Sequence, residues 1–143
     1  MGRLTGVFPV ELIRRERIDL DGFVAGDNIV SDVEFPAIPP GYKVTGIRTR
    51  VRGTEGRDAG NVLVADATTT LAARLENGAT DVVLFAATAL ATLKALAGDV
   101  DSSAAVNTAI QAAGARLTVA VAGAGVVRLA GGYLDVEIRL SPA

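Results

Sequence analysis

Between Phe35 and Arg52 the sequence reads FPAIPPGYKVTGIRTRVR, a proline-rich corner that feeds one long strand with two unlike faces. Pro36, Pro39 and Pro40 remove backbone donors and bias the residues before them toward extended geometry, and Gly41 supplies a turn position. Ile47, Thr49 and Val51 then alternate with Arg48, Arg50 and Arg52, which puts the guanidinium groups on one face and leaves the other for a core. The C-terminus repeats the pattern: Leu134, Val136, Ile138 and Leu140 alternate with Tyr133, Asp135, Glu137 and Arg139. Two such strands, far apart in sequence, predict an antiparallel sheet with one wet face.

The rest of the chain supplies further strands. Residues 1–20 mix Leu4, Val7, Phe8, Val10 and Leu12 with the charged run Arg14 to Arg17, and Pro9 makes them a poor central strand, so they read as an N-terminal arm or an edge strand. DNIVSDVEF at 27–35 is a strand candidate with broken alternation, GTEGRDAG at 53–60 is a loop, and NVLVAD at 61–66 and the segment around Leu71 to Glu76 are strands. From Thr80 to Gly114 the signals conflict. Leu90, Leu93 and Ala97 suit a short helix, DSSAAVNTAIQAAG suits another, and Val82 to Phe85 suits a buried strand; one short helix is assigned and the remainder stays open. LTVAVAG and a Gly-rich turn precede the last strand. About seven or eight strands without a βαβ series predict a mainly β protein. Its expected form is an antiparallel, jelly-roll-like β-sandwich over 21–143 with one short helical or irregular insertion.

Composition narrows the chemistry. At 143 residues the chain is long enough to bury roughly 70% of its unfolded surface without a covalent staple. It has neither cysteine nor histidine, which excludes disulfides, thiolate chemistry and His-based catalytic triads. A net charge of −2 gives little overall attraction for nucleic acid or an anionic membrane, and neither is expected as a partner. The sequence contains no signal-peptide core and no stretch of membrane-spanning length, so a soluble, unsecreted protein is expected. A mean hydropathy of +0.38 is high for a small monomer and is compatible with an Ala-rich core or with surface buried in an assembly.

Local motifs point away from catalysis. AGAGVV lacks the third glycine and the following helix of a dinucleotide site, and reads as a hairpin turn. Asp99, Asp101 and Ser103 begin like a calcium loop, but Ala104 and Ile110 stand where glycine and the closing glutamate belong. Asp135 and Glu137 share a strand face about 7 Å apart, a spacing that glycosidases use, without the aromatic platform of a sugar cleft. No catalytic, cofactor or metal residue is assigned. The ladder Arg48, Arg50, Arg52 has three readings: a solvated face with Asp135 and Glu137 across from the arginines, a protein docking face, or a phosphate track.

AGDNIV, FPAIPPGYKVTGIRTRVRG, NVLVADATTTLAARL, LTVAVAG and GGYLDVEIRL follow one another in an order that resembles small jelly-roll virion proteins of tailed bacteriophages, especially head decoration or cement proteins. The resemblance runs from Ala25 to Asp66 and from Leu117 to Leu140, and Thr80 to Gly114 departs from it. It implies a structural protein, made in the host cytoplasm, that sits on the outer capsid surface as a homotrimer and bridges neighbouring subunits of the major capsid protein. No cofactor and no enzymatic activity are implied. The expected partner contacts are Leu4, Val7, Phe8 and Leu12 of the arm, Arg14, Arg15 and Arg17 beside it, and Arg48, Arg50 and Arg52. The alternatives are a tail or baseplate component and a carbohydrate-binding or adhesion β-sandwich.

Overall fold

β3 (Tyr42–Arg52) organises the molecule. In the computed structural model, which describes residues 11–95, 100–101, 108–111 and 113–143, Gly41 takes a φ of +100° and turns the proline corner into this strand. Ile47, Thr49 and Val51 are buried, Arg48 and Arg52 exposed, and Arg50 half-buried, as the alternation predicts. β12 (Tyr133–Pro142) lies antiparallel beside it and buries Leu134, Val136, Ile138 and Leu140. β1 (Leu12–Asp19) pairs with the other side of β12, and two short strands, β8 (Val100–Asp101) and β9 (Thr108–Ala109), pair along the far edge of β3. Arg139 pairs with Gly46 and Leu140 with Val44, so Thr45 is an extra residue, a β-bulge. That insertion changes the parity of β3, and Val44 as well as Ile47 points into the core.

The second sheet has the order β2-β10-β6-β7, from Gly26–Ile29, Arg116–Ala122, Thr70–Glu76 and Val82–Ala89. Taken along the chain, β1 and β3 belong to the first sheet, β2 and β10 to the second, and β12 returns to the first. Among the described residues of these two sheets, only β6 and β7 are both consecutive in the chain and paired. With β8 and β9 occupying one position, the eight positions wrap as 1-8-3-6 and 2-7-4-5, two interlocked Greek keys: a jelly roll. A small third sheet, β11-β4-β5, forms from Arg128–Ala130, Glu55–Arg57 and Leu63–Val64, inserted in the crossovers that precede β12 and β6. The expected antiparallel β-sandwich with one short helix is the architecture found.

The core lies between the two sheets, where Ile18, Ile47, Val136 and Ile138 meet Leu71, Leu75, Leu117 and Val119, with Phe35 and Ile38 closing one side. β7 explains the conflicting signal at 82–85. Ala73 pairs with Phe85 and Arg74 with Val83, which leaves Leu84 as a bulge residue, and both Leu84 and Phe85 are buried. Helix α1 (Leu90–Ala95) follows β7 and buries Leu90 and Leu93. Its Lys94 Nζ donates to Asp66 Oδ2 at 2.8 Å and to the Thr54 carbonyl at 3.0 Å, tying the helix to both ends of the crossover between β3 and β6.

Several local expectations change. The strand expected over 27–35 is only β2, because Ser31 to Phe35 closes a turn in which the Glu34 and Phe35 amides donate to the Ser31 carbonyl. The strand expected at 61–66 shrinks to Leu63–Val64. The second helix suggested over 101–114 lies partly outside the described residues, and its described ends at Asp101 and at Thr108–Ala109 are strand. AGAGVV does turn the chain, with Gly123 and Gly125 at φ +131° and +78°. It is no hairpin, however, since β10 and β11 on either side belong to different sheets.

Candidate functional site

The outer face of the β1-β12-β3 sheet concentrates most of the residues singled out by sequence. Residues directly opposite in an antiparallel pair share a face. The register therefore lays down rows of Arg17, Asp135 and Arg50, of Arg15, Glu137 and Arg48, and of Asp19, Tyr133 and Arg52. Each central carboxylate thus lies between an arginine of β1 and one of β3. With Arg139 following on β12, β1, β12 and β3 set six arginines against three carboxylates here, and Asp101 of β8 takes the register position opposite Arg48, in a chain whose formal net charge is −2.

The contacts with β1 are close. Arg17 donates to Asp135 through Nε at 2.8 Å and through Nη2 at 3.2 Å, a bidentate fork, and its guanidinium carbon lies 3.9 Å from the centre of the Tyr133 ring. The hydrogen bond to Asp135 raises the Arg17 pKa above its ordinary value. Arg15 donates through Nε to Glu137 Oε1 at 2.7 Å, while Arg139 Nε stands 3.9 Å from the other oxygen. The Arg15 and Arg17 side chains are 72% and 61% exposed, but those of Glu137 and Asp135 only 16% and 32%. The result is an open trough of about 430 Å³ with Asp135 and Glu137 in its floor, Arg15, Arg17 and Arg48 along its walls, and Glu16 and Thr49 completing the polar lining.

Not every expected contact residue joins this face. The run Arg14 to Arg17 splits by parity, and Arg14 turns the other way, donating to the Pro36 carbonyl and lying 5.7 Å from the Phe35 ring centre. Arg14 therefore serves the chain itself. Beside it Glu34 Oε2 accepts the Asp19 amide at 2.9 Å, so the Ser31–Pro36 loop covers part of the outer edge of β1. Leu12 is exposed at the start of β1, whereas Leu4, Val7 and Phe8 lie outside the described residues. Sequence reasoning did not include Tyr133 and Arg139 among the contact residues, although the alternation of β12 places both beside Asp135 and Glu137.

Chemically the face offers charge-assisted donors. Asp135 and Glu137 share a face as the spacing required, but both are engaged by arginines, an arrangement suited to holding anionic groups rather than to proton transfer. A second ionic group on the outer face of the other sheet is closed on itself: Arg74 reaches Asp27 at 3.1 Å, Glu76 at 3.2 Å and Asp81 at 3.5 Å. Its hydrogen bond to Asp27 raises the Arg74 pKa. Exposed Ile29 and Val83 occupy the two ends of the row that contains Arg74. Exposed Val24, Val62, Leu63 and Val127 lie along the small sheet.

No family model matches the chain, and no curated protein matches it. Solved structures do. A chain of the cyanophage Pam1 capsid asymmetric unit superposes with a TM-score of 0.59 at 13% identity, over 100% of this chain and 92% of that one. A chain of the acid-stable capsid of Helicobacter pylori bacteriophage KHP30 superposes with a TM-score of 0.52 at 18% identity, over 92% of this chain and 93% of that one. At such identities the fold is what is shared, end to end.

Proposed function

We propose that the chain is a structural virion protein of a bacteriophage, without enzymatic activity, that decorates the outer capsid surface and bridges subunits of the major capsid protein. The observation that carries this reading is the fold match: a jelly roll of this length superposes over nearly the whole of chains from two phage capsids. The resemblance of its strand-forming segments to head decoration proteins leads to the same place. A homotrimer fits this role, and the exposed apolar side chains at Val24, Val62, Leu63 and Val127 provide surface for contacts between subunits. The apolar residues Leu4, Val7, Phe8 and Leu12 and the arginines Arg15, Arg17, Arg48, Arg50 and Arg52 are the proposed contacts with the shell.

The test is to add the purified protein to capsids of the encoding phage that lack it. Saturable co-sedimentation with heads and a raised temperature of DNA release are expected. Binding to isolated tails in preference to heads would replace this reading with the tail or baseplate alternative, and absence from purified virions would overturn both.

A further inference from the structure

We propose that the trough on the outer face of β1, β12 and β3 docks an acidic surface of a different protein, with Arg17 and Tyr133 as its fixed anchor. This deepens the docking role proposed above and rests on it. Arginine and tyrosine dominate binding hot spots when they are held in place. Here the Arg17 fork on Asp135 and its stacking on Tyr133 at 3.9 Å hold an exposed guanidinium in one pose before any partner arrives, so little side-chain entropy remains to be lost on binding. Arg15 reaches Glu137 through Nε alone among the described residues, leaving its two terminal nitrogens for an incoming carboxylate.

Charge identifies the occupant. The outer face of β1, β12 and β3 carries six arginines against three carboxylates on a chain of net charge −2, and several of the other acids are already engaged within the chain. Asp27, Glu76 and Asp81 share Arg74, Glu55 pairs with Arg57, and Asp66 pairs with Lys94. A second copy would have to release these acids from their own basic partners, which favours another protein as the occupant. A nucleic-acid strand fits less well. Its backbone carries a negative charge at each nucleotide, and laid along the sheet it would pass over Asp135 and Glu137 in the trough floor, whereas separate carboxylates on a protein can seat between the arginine walls.

The experiment is amide NMR of the full chain titrated with a Glu-rich peptide of about ten residues at ~20 mM salt, where surface electrostatics is least screened. The expected result is shifts confined to β1, β12 and β3, with affinity falling at least tenfold by about 200 mM salt. Arg15→Glu with Arg48→Glu should reduce affinity at least tenfold, and Arg17→Lys, which keeps the charge but loses the fork and the stack, several-fold. Arg116→Glu, on the other sheet, should leave it unchanged, with circular dichroism verifying the fold of every variant. Shifts spread over the whole surface, equal loss in the Arg116 variant, or tighter binding of a single-stranded oligonucleotide than of the peptide would overturn the proposal. Peptide binding at this face by a protein that ignores capsids would remove the virion reading alone; capsid binding without peptide binding would remove this one alone.

Discussion

At the scale of single residues, faces and close contacts decide what each position tolerates. Ile138→Ala should cost about 2–5 kcal/mol and Val136→Ala about 1–3, because both are buried between the sheets and truncation leaves a cavity. Arg52→Ala, on the exposed face of β3, should cost under about 1 kcal/mol. Urea midpoints measure all three, and equal losses would refute the two-faced reading of these strands. Gly132 is constrained twice over. Its φ is +75°, and a Cβ there would stand 2.2 Å from the Thr54 amide nitrogen and 2.4 Å from the Arg52 carbonyl oxygen. Gly22 has a φ of +86° but nothing within 4 Å of its Cβ position. Gly22→Ala should therefore incur only the left-handed backbone penalty, about 1–2 kcal/mol, and Gly132→Ala clearly more, a ranking read from thermal unfolding.

At the scale of elements, the far edge of β3 is held by short pairings. β9 makes only a two-residue pairing with that strand. It is secured by Asn77 at the end of β6, fully buried, with Nδ2 donating to the Ala109 carbonyl at 2.9 Å and Oδ1 accepting the Gln111 amide at 2.7 Å. Asn77→Ala would orphan both groups, at about 1–3 kcal/mol each where they stay buried. The expected signature is local. Amide exchange at Gln111 and its neighbours should accelerate by a larger factor than exchange at the centres of β3 and β12. Uniform acceleration would show that Asn77 supports the whole sandwich rather than this edge.

At the scale of the whole molecule, the start of β1 sets where an arm can begin. Leu12 pairs with Leu140 within the first sheet, so a deletion that spares the sandwich should end at residue 11. The chain lacking residues 1–11 should keep its fold by circular dichroism and lose capsid attachment or trimerisation. Unchanged attachment and oligomeric state would remove the arm from the proposed contacts, and unfolding would assign it to the core. For the intact chain, sedimentation at micromolar concentration should give a species near three times 14.6 kDa. A monomer at every accessible concentration would count against a trimer that forms away from the shell.

The faces of β3, β6 and β12 were legible in the sequence because the pleat is local: successive side chains point to opposite sides, so alternation alone separates Val136 and Ile138 from Asp135 and Glu137. The antiparallel class, the short helix at Leu90 and the outward set of arginines come from the same kind of pattern. Pairing partners carry no such local mark, and only the tertiary structure placed β12 between β1 and β3. That single placement determines that Asp135 meets Arg17 and Glu137 meets Arg15, and turns three separate charged runs into one trough. Bulges escape sequence reading as well, since Thr45 and Leu84 differ in no compositional way from paired strand residues, yet each reverses the parity of the strand beyond it. The sequence by itself determined which side chains turn inward along the regularly alternating stretches, a property of each strand alone. Which strands lie side by side was decided by the packing of the two sheets, where burial is shared among residues far apart in the chain.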